Sequence, residues 1–270
     1  MSTATQTTSS PRSSAPSGIP FSRLLQVEFR KSWDTKASFW LLFAIGAVVL
    51  AAEFIAAIVL AVNDDGQTTV DLGTFAGVAG FVCQLMLPVV AILLVTAEWT
   101  QRTAMVTFAL EPRRDRVINA KLGVALVWTL VTVVFAVVLG VIFNLFYGAM
   151  GGSVSWTGSA GVVGFVIIQC ALMLIGFAWA ALVLNTPAAI VIYYAFWFAV
   201  PTILAIGNQL IGWFDNVSRW FFFQEATGPL YDGFWNMSAG EWGHLIVALL
   251  VWLAAPLILG LRRISRAEVK

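Results

Sequence analysis

Long continuous apolar runs, broken by short polar stretches, set the pattern of this chain. Six of them, at 39–62, 74–97, 118–147, 159–184, 188–207 and 244–261, come close to or exceed the ~20 residues an α-helix needs to cross a bilayer core. Continuous runs predict helices. A barrel strand would alternate apolar and polar positions, and an open strand in hydrocarbon leaves its backbone groups without partners. The third run is the longest, and at ~1.5 Å per residue its helix is expected to project beyond the membrane. The reading is an all-α membrane protein whose six transmembrane helices fill a domain at 37–262. No internal repeat is visible.

Two stretches outside these runs carry a helical pattern of their own. Phe21, Leu25, Phe29 and Trp33 recur every four residues with Leu24 beside them, while Arg23, Gln26, Arg30, Lys31 and Asp34 take the other face. That spacing predicts an amphipathic helix over 21–36, lying in the headgroup layer before span one. It is either a plain membrane anchor or an anchor that also docks a partner. In the second stretch, 98–121, Thr100 or Thr103 is placed to cap a short helix over 104–110, which Pro112 would end. Residues 1–20, rich in Ser, Thr and Pro, read as a disordered tail and not a signal peptide. Residues 263–270 form a second tail.

Composition narrows the class. The chain is 60% hydrophobic and 11% charged, against roughly 45–50% and 25% in soluble domains, which points to a membrane-embedded body. A net charge of +1 supplies no basic field for nucleic acid. One histidine, His244, and two cysteines inside apolar runs, Cys83 and Cys170, argue against a multi-histidine metal centre and a disulfide framework.

Charge position then orients the chain. Fourteen of the fifteen Lys and Arg fall before span one, between spans two and three, or after span six; Arg219 is the exception. The opposite side holds Asp64, Asp65, Asp71, Asp215, Glu225, Asp232 and Glu241. By the positive-inside rule both termini are expected in the cytoplasm.

Taken together, these features resemble the ABC-2-type exporter permeases, particularly those of actinobacteria. The resemblance rests on the elbow-like helix before span one, Glu98 at the end of span two, and the run Thr103, Phe108-Ala109-Leu110, Pro112-Arg113-Arg114, Arg116-Val117 and Ala120-Lys121. The six-span layout with a long segment before span six agrees. The chain departs at Gln101-Arg102, where relatives often carry Gly just before the Thr. What the resemblance implies is a multi-pass half-transporter of the bacterial cytoplasmic membrane, paired with a second copy or a homologue and with two cytoplasmic ATPase subunits. Residues 103–110, including Thr103, Phe108 and Leu110, would form the coupling helix that docks on the ATPase. Glu98, Arg102, Pro112, Arg113, Arg114 and Arg116 would frame it. The elbow residues would be Phe21, Leu25, Phe29, Arg30, Lys31 and Trp33. ATP and Mg would sit on the partner, with no cofactor on this chain. The sequence contains no Gly-Lys pair, so it has no P-loop of its own.

Polar groups within the spans are few. Glu53 is the only charged residue deep in a span, about 21 Å along it at ~1.5 Å per residue. Its burial costs at least ~2–3 kcal/mol, so it should face protein or a wet cavity, as a pathway or gating group or as a structural contact. Gln84, Asn144, Gln169 and Asn185 suit interhelical contacts, with Gln84 and Glu225 also candidates for the pathway. Pro88, Pro187, Pro201 and Pro256 mark kinks or boundaries, and His244 suits a headgroup contact. The aromatic-rich stretch 208–243 predicts a re-entrant or interfacial helical hairpin turning near Gly228-Pro229, serving as an exit cap or an aromatic anchor. The function these readings favour is the membrane subunit of an exporter for a lipid, drug, peptide or glycoconjugate. An ion-coupled secondary transporter using Glu53 is the alternative. An intramembrane enzyme lacks the required nucleophile and base.

Overall fold

The structure is a computed structural model, and it describes residues 19–63, 69–156 and 159–266. Six helices are long and apolar enough to cross a membrane: Lys36–Val62, Leu72–Thr100, Arg114–Ala149, Gly161–Val183, Thr186–Leu210 and Ala239–Arg266. They are spans one to six below. Five of them cover their expected runs, and the fourth, Gly161–Val183, falls just inside the expected 159–184. The third has 36 residues, about 54 Å at ~1.5 Å per residue, well over the ~30 Å of a bilayer core. Span six continues as helix to Arg266, so residues 263–266, expected in the tail, belong to the helix. The expectations for residues 1–18, Asp64, Asp65 and residues 267–270 lie outside the described residues.

Span two is the centre of the bundle. Its apolar window is 72% buried, against 22% for spans one, five and six. Span two stays helical through Pro88, and span four makes room for that proline with Gly176, where a Cβ would stand 2.8 Å from the Pro88 carbonyl oxygen. Small residues at helix contacts let backbones approach, which is where packing energy comes from when no water is excluded. Span one buries the stripe Ile45, Val49, Glu53 and Ala57 and leaves Trp40, Phe43, Phe54 and Ile55 exposed. That division suits one face on protein and one on lipid.

Two elements depart from an all-α reading. A pair of three-residue parallel strands, β1 (Thr69–Asp71) and β2 (Ser153–Ser155), joins the chain ahead of span two to the end of span three. Spans five and six each contain a π-helical turn, Ala195–Ala199 and Leu250–Ala254. A proline follows each one, Pro201 and Pro256. A proline ring clashes with the carbonyl four residues earlier and supplies no N–H to it, and a π turn relieves the clash. The carbonyl freed by Pro201 is that of Trp197, which accepts a hydrogen bond from Gln224 Nε2 at 3.3 Å.

Gln224 belongs to the chain between spans five and six, where the expected helical hairpin is not what forms. Residues 211–238 instead hold two five-residue helices, Phe214–Ser218 and Phe223–Thr227, and two 3-10 turns, Gly228–Asp232 and Phe234–Asn236. Gly228-Pro229 opens a 3-10 turn and is no hairpin apex. Phe223 packs on Phe196 of the span five π turn, which packs in turn on Trp252 of the span six π turn at 4.9 Å between ring centres. Trp252 Nε1 donates to the Phe221 carbonyl at 2.8 Å. His244 meets the edge of Trp220 at 4.6 Å. The turn around Leu230 presses on span four so closely that a Cβ on Gly164 would lie 2.0 Å from the Leu230 carbonyl.

Candidate functional site

The first helix, Phe21–Asp34, lies against the basic end of spans two and three. It is two residues shorter than expected, because Thr35 takes an extended conformation and its hydroxyl caps span one through the Ser38 amide. The face it buries is Leu24, Glu28 and Ser32. Phe29 stacks on Trp128 at 5.4 Å, and Leu25 reaches Gly123. Phe21 and Trp33 stand exposed, and Arg30 pairs with Asp34 in the open. The period-four apolar stripe therefore splits between protein and the outside.

Glu28 is the residue this reading missed. Only 1% exposed, it accepts Lys31 Nζ at 2.7 Å on one oxygen and Lys121 Nζ at 2.8 Å on the other. Lys121, buried at the start of span three, also donates to the Leu94 carbonyl at 3.0 Å and lies 3.4 Å from Glu98. Glu98 in turn accepts Lys31 at 3.0 Å. The result is a closed ring of alternating charge: Lys31, Glu28, Lys121, Glu98. Two carboxylates and two ammoniums sum to zero, which is how charges tolerate a half-dry site. Burial alone would lower the Lys31 pKa, but hydrogen bonds and attraction from Glu28 and Glu98 outweigh it and hold that pKa above its usual value. A signal was available, since a carboxylate at i+4 from Leu24 and beside Leu25 and Phe29 sits on the apolar face of the helix and must find a cation.

The ring clamps the short helix Ala104–Leu110, whose boundaries match the expected 104–110. Thr107 Oγ1 donates to Glu98 at 3.1 Å. Phe108 lies between Trp99, 6.2 Å away, and the Arg114 guanidinium, 5.0 Å over its ring. Pro112 ends the helix, with Glu111 before it in extended conformation. Neither threonine caps the helix: Thr103 makes no side-chain cap bond, and Thr100 shares a hydroxyl contact with Thr186. Arg102 has φ +58°, the left-handed conformation in which glycine is unstrained. Around it Thr103 N donates to Glu98 O and Arg102 N to Trp99 O, so span two closes in a Schellman motif with Arg where Gly is usual.

Three further arginines frame the helix unequally. Arg114 donates to the Ile264 and Ser265 carbonyls at the end of span six. Arg116 bridges Glu111 at 2.9 Å and the Ile19 carbonyl at 2.6 Å. Arg113 is exposed. Met105, Val106 and Leu110 are exposed as well, Leu110 at 72%, and the last two face a cavity of about 1040 Å³ shared with the first helix and span two. The whole is an apolar knob on a rigid, charge-locked base.

The pathway candidates are not brought together with this site. Glu53 is fully buried between spans, near the Ala79 amide and Cys83 of span two, and among the described residues neither carboxyl oxygen has a hydrogen-bond partner. Gln84 donates to the Tyr231 hydroxyl at 2.9 Å, and its carbonyl accepts from Tyr193. Glu225 is exposed on the helix Phe223–Thr227. Asn185 caps span five, Gln169 donates to the Gly80 carbonyl and Asn144 to that of Ser155. No group of three metal-ligating side chains occurs among the described residues. No family model matches the chain, and no curated protein matches it.

Proposed function

We propose that this chain is the membrane subunit of an ATP-driven exporter, with residues 104–110 as the helix on which a separate ATPase pushes. The observation that carries the reading is the combination at that helix: Met105, Val106 and Leu110 stand exposed, while Thr107 and Phe108 are tied to spans two and three through Glu98, Trp99 and Arg114. A force-bearing contact needs a surface free for the partner and a base that does not yield. Closure of two ATPase subunits would move spans two and three together, because Lys121 and Glu98 belong to one ring. A second copy or a homologous chain would complete the translocation path, and both termini would lie in the bacterial cytoplasm. Residues 211–238 would then form a re-entrant exit cap, a reading supported by the bond from Trp252 to Phe221 near the middle of span six.

The test is affinity purification of the full chain from its native membrane. The expected outcome is a co-purifying P-loop ATPase, lost in a Val106→Asp/Leu110→Asp variant that still melts like the parent. Retention of the same ATPase by that variant would sink the coupling role. The ion-coupled alternative is favoured by one observation, that the Glu53 carboxyl has no hydrogen-bond partner among the described residues. Transport abolished by Glu53→Gln and by collapse of the proton gradient, but not by nucleotide depletion, would select it.

A further inference from the structure

A second cavity, of about 700 Å³, opens at the acidic end of the molecule between span two and the turn Gly228–Asp232. Its volume falls within the ~300–1,000 Å³ of small-molecule sites. Span two contributes Gly73, Ala76, Gly77, Phe81 and Gln84, spaced along one helical face. A Cβ on Gly77 would meet nothing within 4 Å, so the glycine keeps space open and is not there for close packing. At the floor Gln84 donates to the Tyr231 hydroxyl, which leaves the phenolic hydrogen to donate onward.

Charge selects the occupant. Asp71 and Asp232 both line the cavity, and among the described residues no basic one does. Asp71 spends one oxygen on the Thr74 amide and hydroxyl as the cap of span two. Arg219, the one described basic residue in the outer segments, is paired with Asp215. The walls that remain are apolar and aromatic, with Phe81 55% exposed and Tyr231 opposite. Aromatic faces attract cations.

We propose that this cavity binds an organic cation with an apolar body, its charge between Asp71 and Asp232 and its body against Phe81, Tyr231 and the Gly77 floor. The inference names a substrate class for the exporter reading and rests on it for any meaning in transport, but binding itself requires no ATPase.

The experiment uses the purified full chain in phosphatidylcholine nanodiscs, with tetraphenylphosphonium as probe and tetraphenylborate as the same shape of opposite charge. Saturable phosphonium binding is expected, with no saturable borate binding. Asp71→Asn/Asp232→Asn, which keeps an N-cap, should weaken it about tenfold, the sum of two modest charge contacts. Gly77→Leu should abolish it while leaving the thermal melt unchanged or higher, since the side chain enters open space and improves helix propensity. If the aspartate variant fails to fold, Gly77→Leu still decides. Equal binding of both ions, or phosphonium binding that survives Gly77→Leu, overturns the proposal and leaves the coupling test untouched.

Discussion

Two buried carboxylate sites in this molecule have opposite solutions. At the basic end Glu28 and Glu98 are locked in a ring with Lys31 and Lys121, supported by Thr107 and the Leu94 carbonyl. In span one Glu53 is as deeply buried, with neither oxygen hydrogen-bonded among the described residues. The first arrangement joins four elements and fixes their relative position. The second forms no ion pair and no hydrogen bond among the described residues. A paired buried charge is a mechanical part, whereas a lone one is a cost that packing must absorb.

The sharpest way to break the comparison is to remove one cation. Lys121→Ala leaves Glu28 and Glu98 facing each other with only half-exposed Lys31, and should lower stability by about 3–5 kcal/mol, read as an earlier thermal transition in detergent. Replacing the inner pair together, Glu28→Met/Lys121→Met, should recover all but about 1 kcal/mol. If the double variant is as unstable as the single one, the ring matters through shape and not charge. At the other site, Glu53→Gln should cost less than about 1 kcal/mol or raise the melt, because a neutral amide is cheaper to bury. A loss as large as that of Lys121→Ala would mean Glu53 has a partner that the chain alone lacks.

Smaller effects sharpen the account of the ring's surroundings. Arg102→Gly should stabilise by up to about 1 kcal/mol, since the left-handed conformation strains every side chain that has a Cβ. An unchanged or lower melt would show that the arginine side chain contributes contacts of its own. Lys31 should give the smallest and most pH-specific effect. Its pKa is raised on folding, so its stabilisation is complete below about 10.5 and fades as pH rises through the folded value. A stability profile to pH 11 should show that alkaline loss in the parent and not in Lys31→Met.

Much of this was legible in the sequence where period and local chemistry decide. The six runs became six helices, Pro112 stopped the 104–110 helix, and the amphipathic stretch before span one became a helix. What failed were statements that needed a neighbour. The cap expected from Thr103 gave way to the Schellman turn at Arg102. Glu28 received no role because one of its partners, Lys121, lies 93 positions away in the chain, and the other, Lys31, closes the ring through Glu98, 67 positions from it. The hairpin expected in 208–243 became short helices wedged against two π turns, where Gln224, from another segment, donates to the carbonyl that Pro201 frees.

The sequence by itself determined how many helices are long and apolar enough to cross a bilayer and which charges gather at each end, because solvation in lipid is decided residue by residue and read over a window. Tertiary structure alone decided which buried charges meet, which glycines admit a backbone and which leave space open. Those outcomes depend on distances between segments remote in the chain, and no local period encodes them.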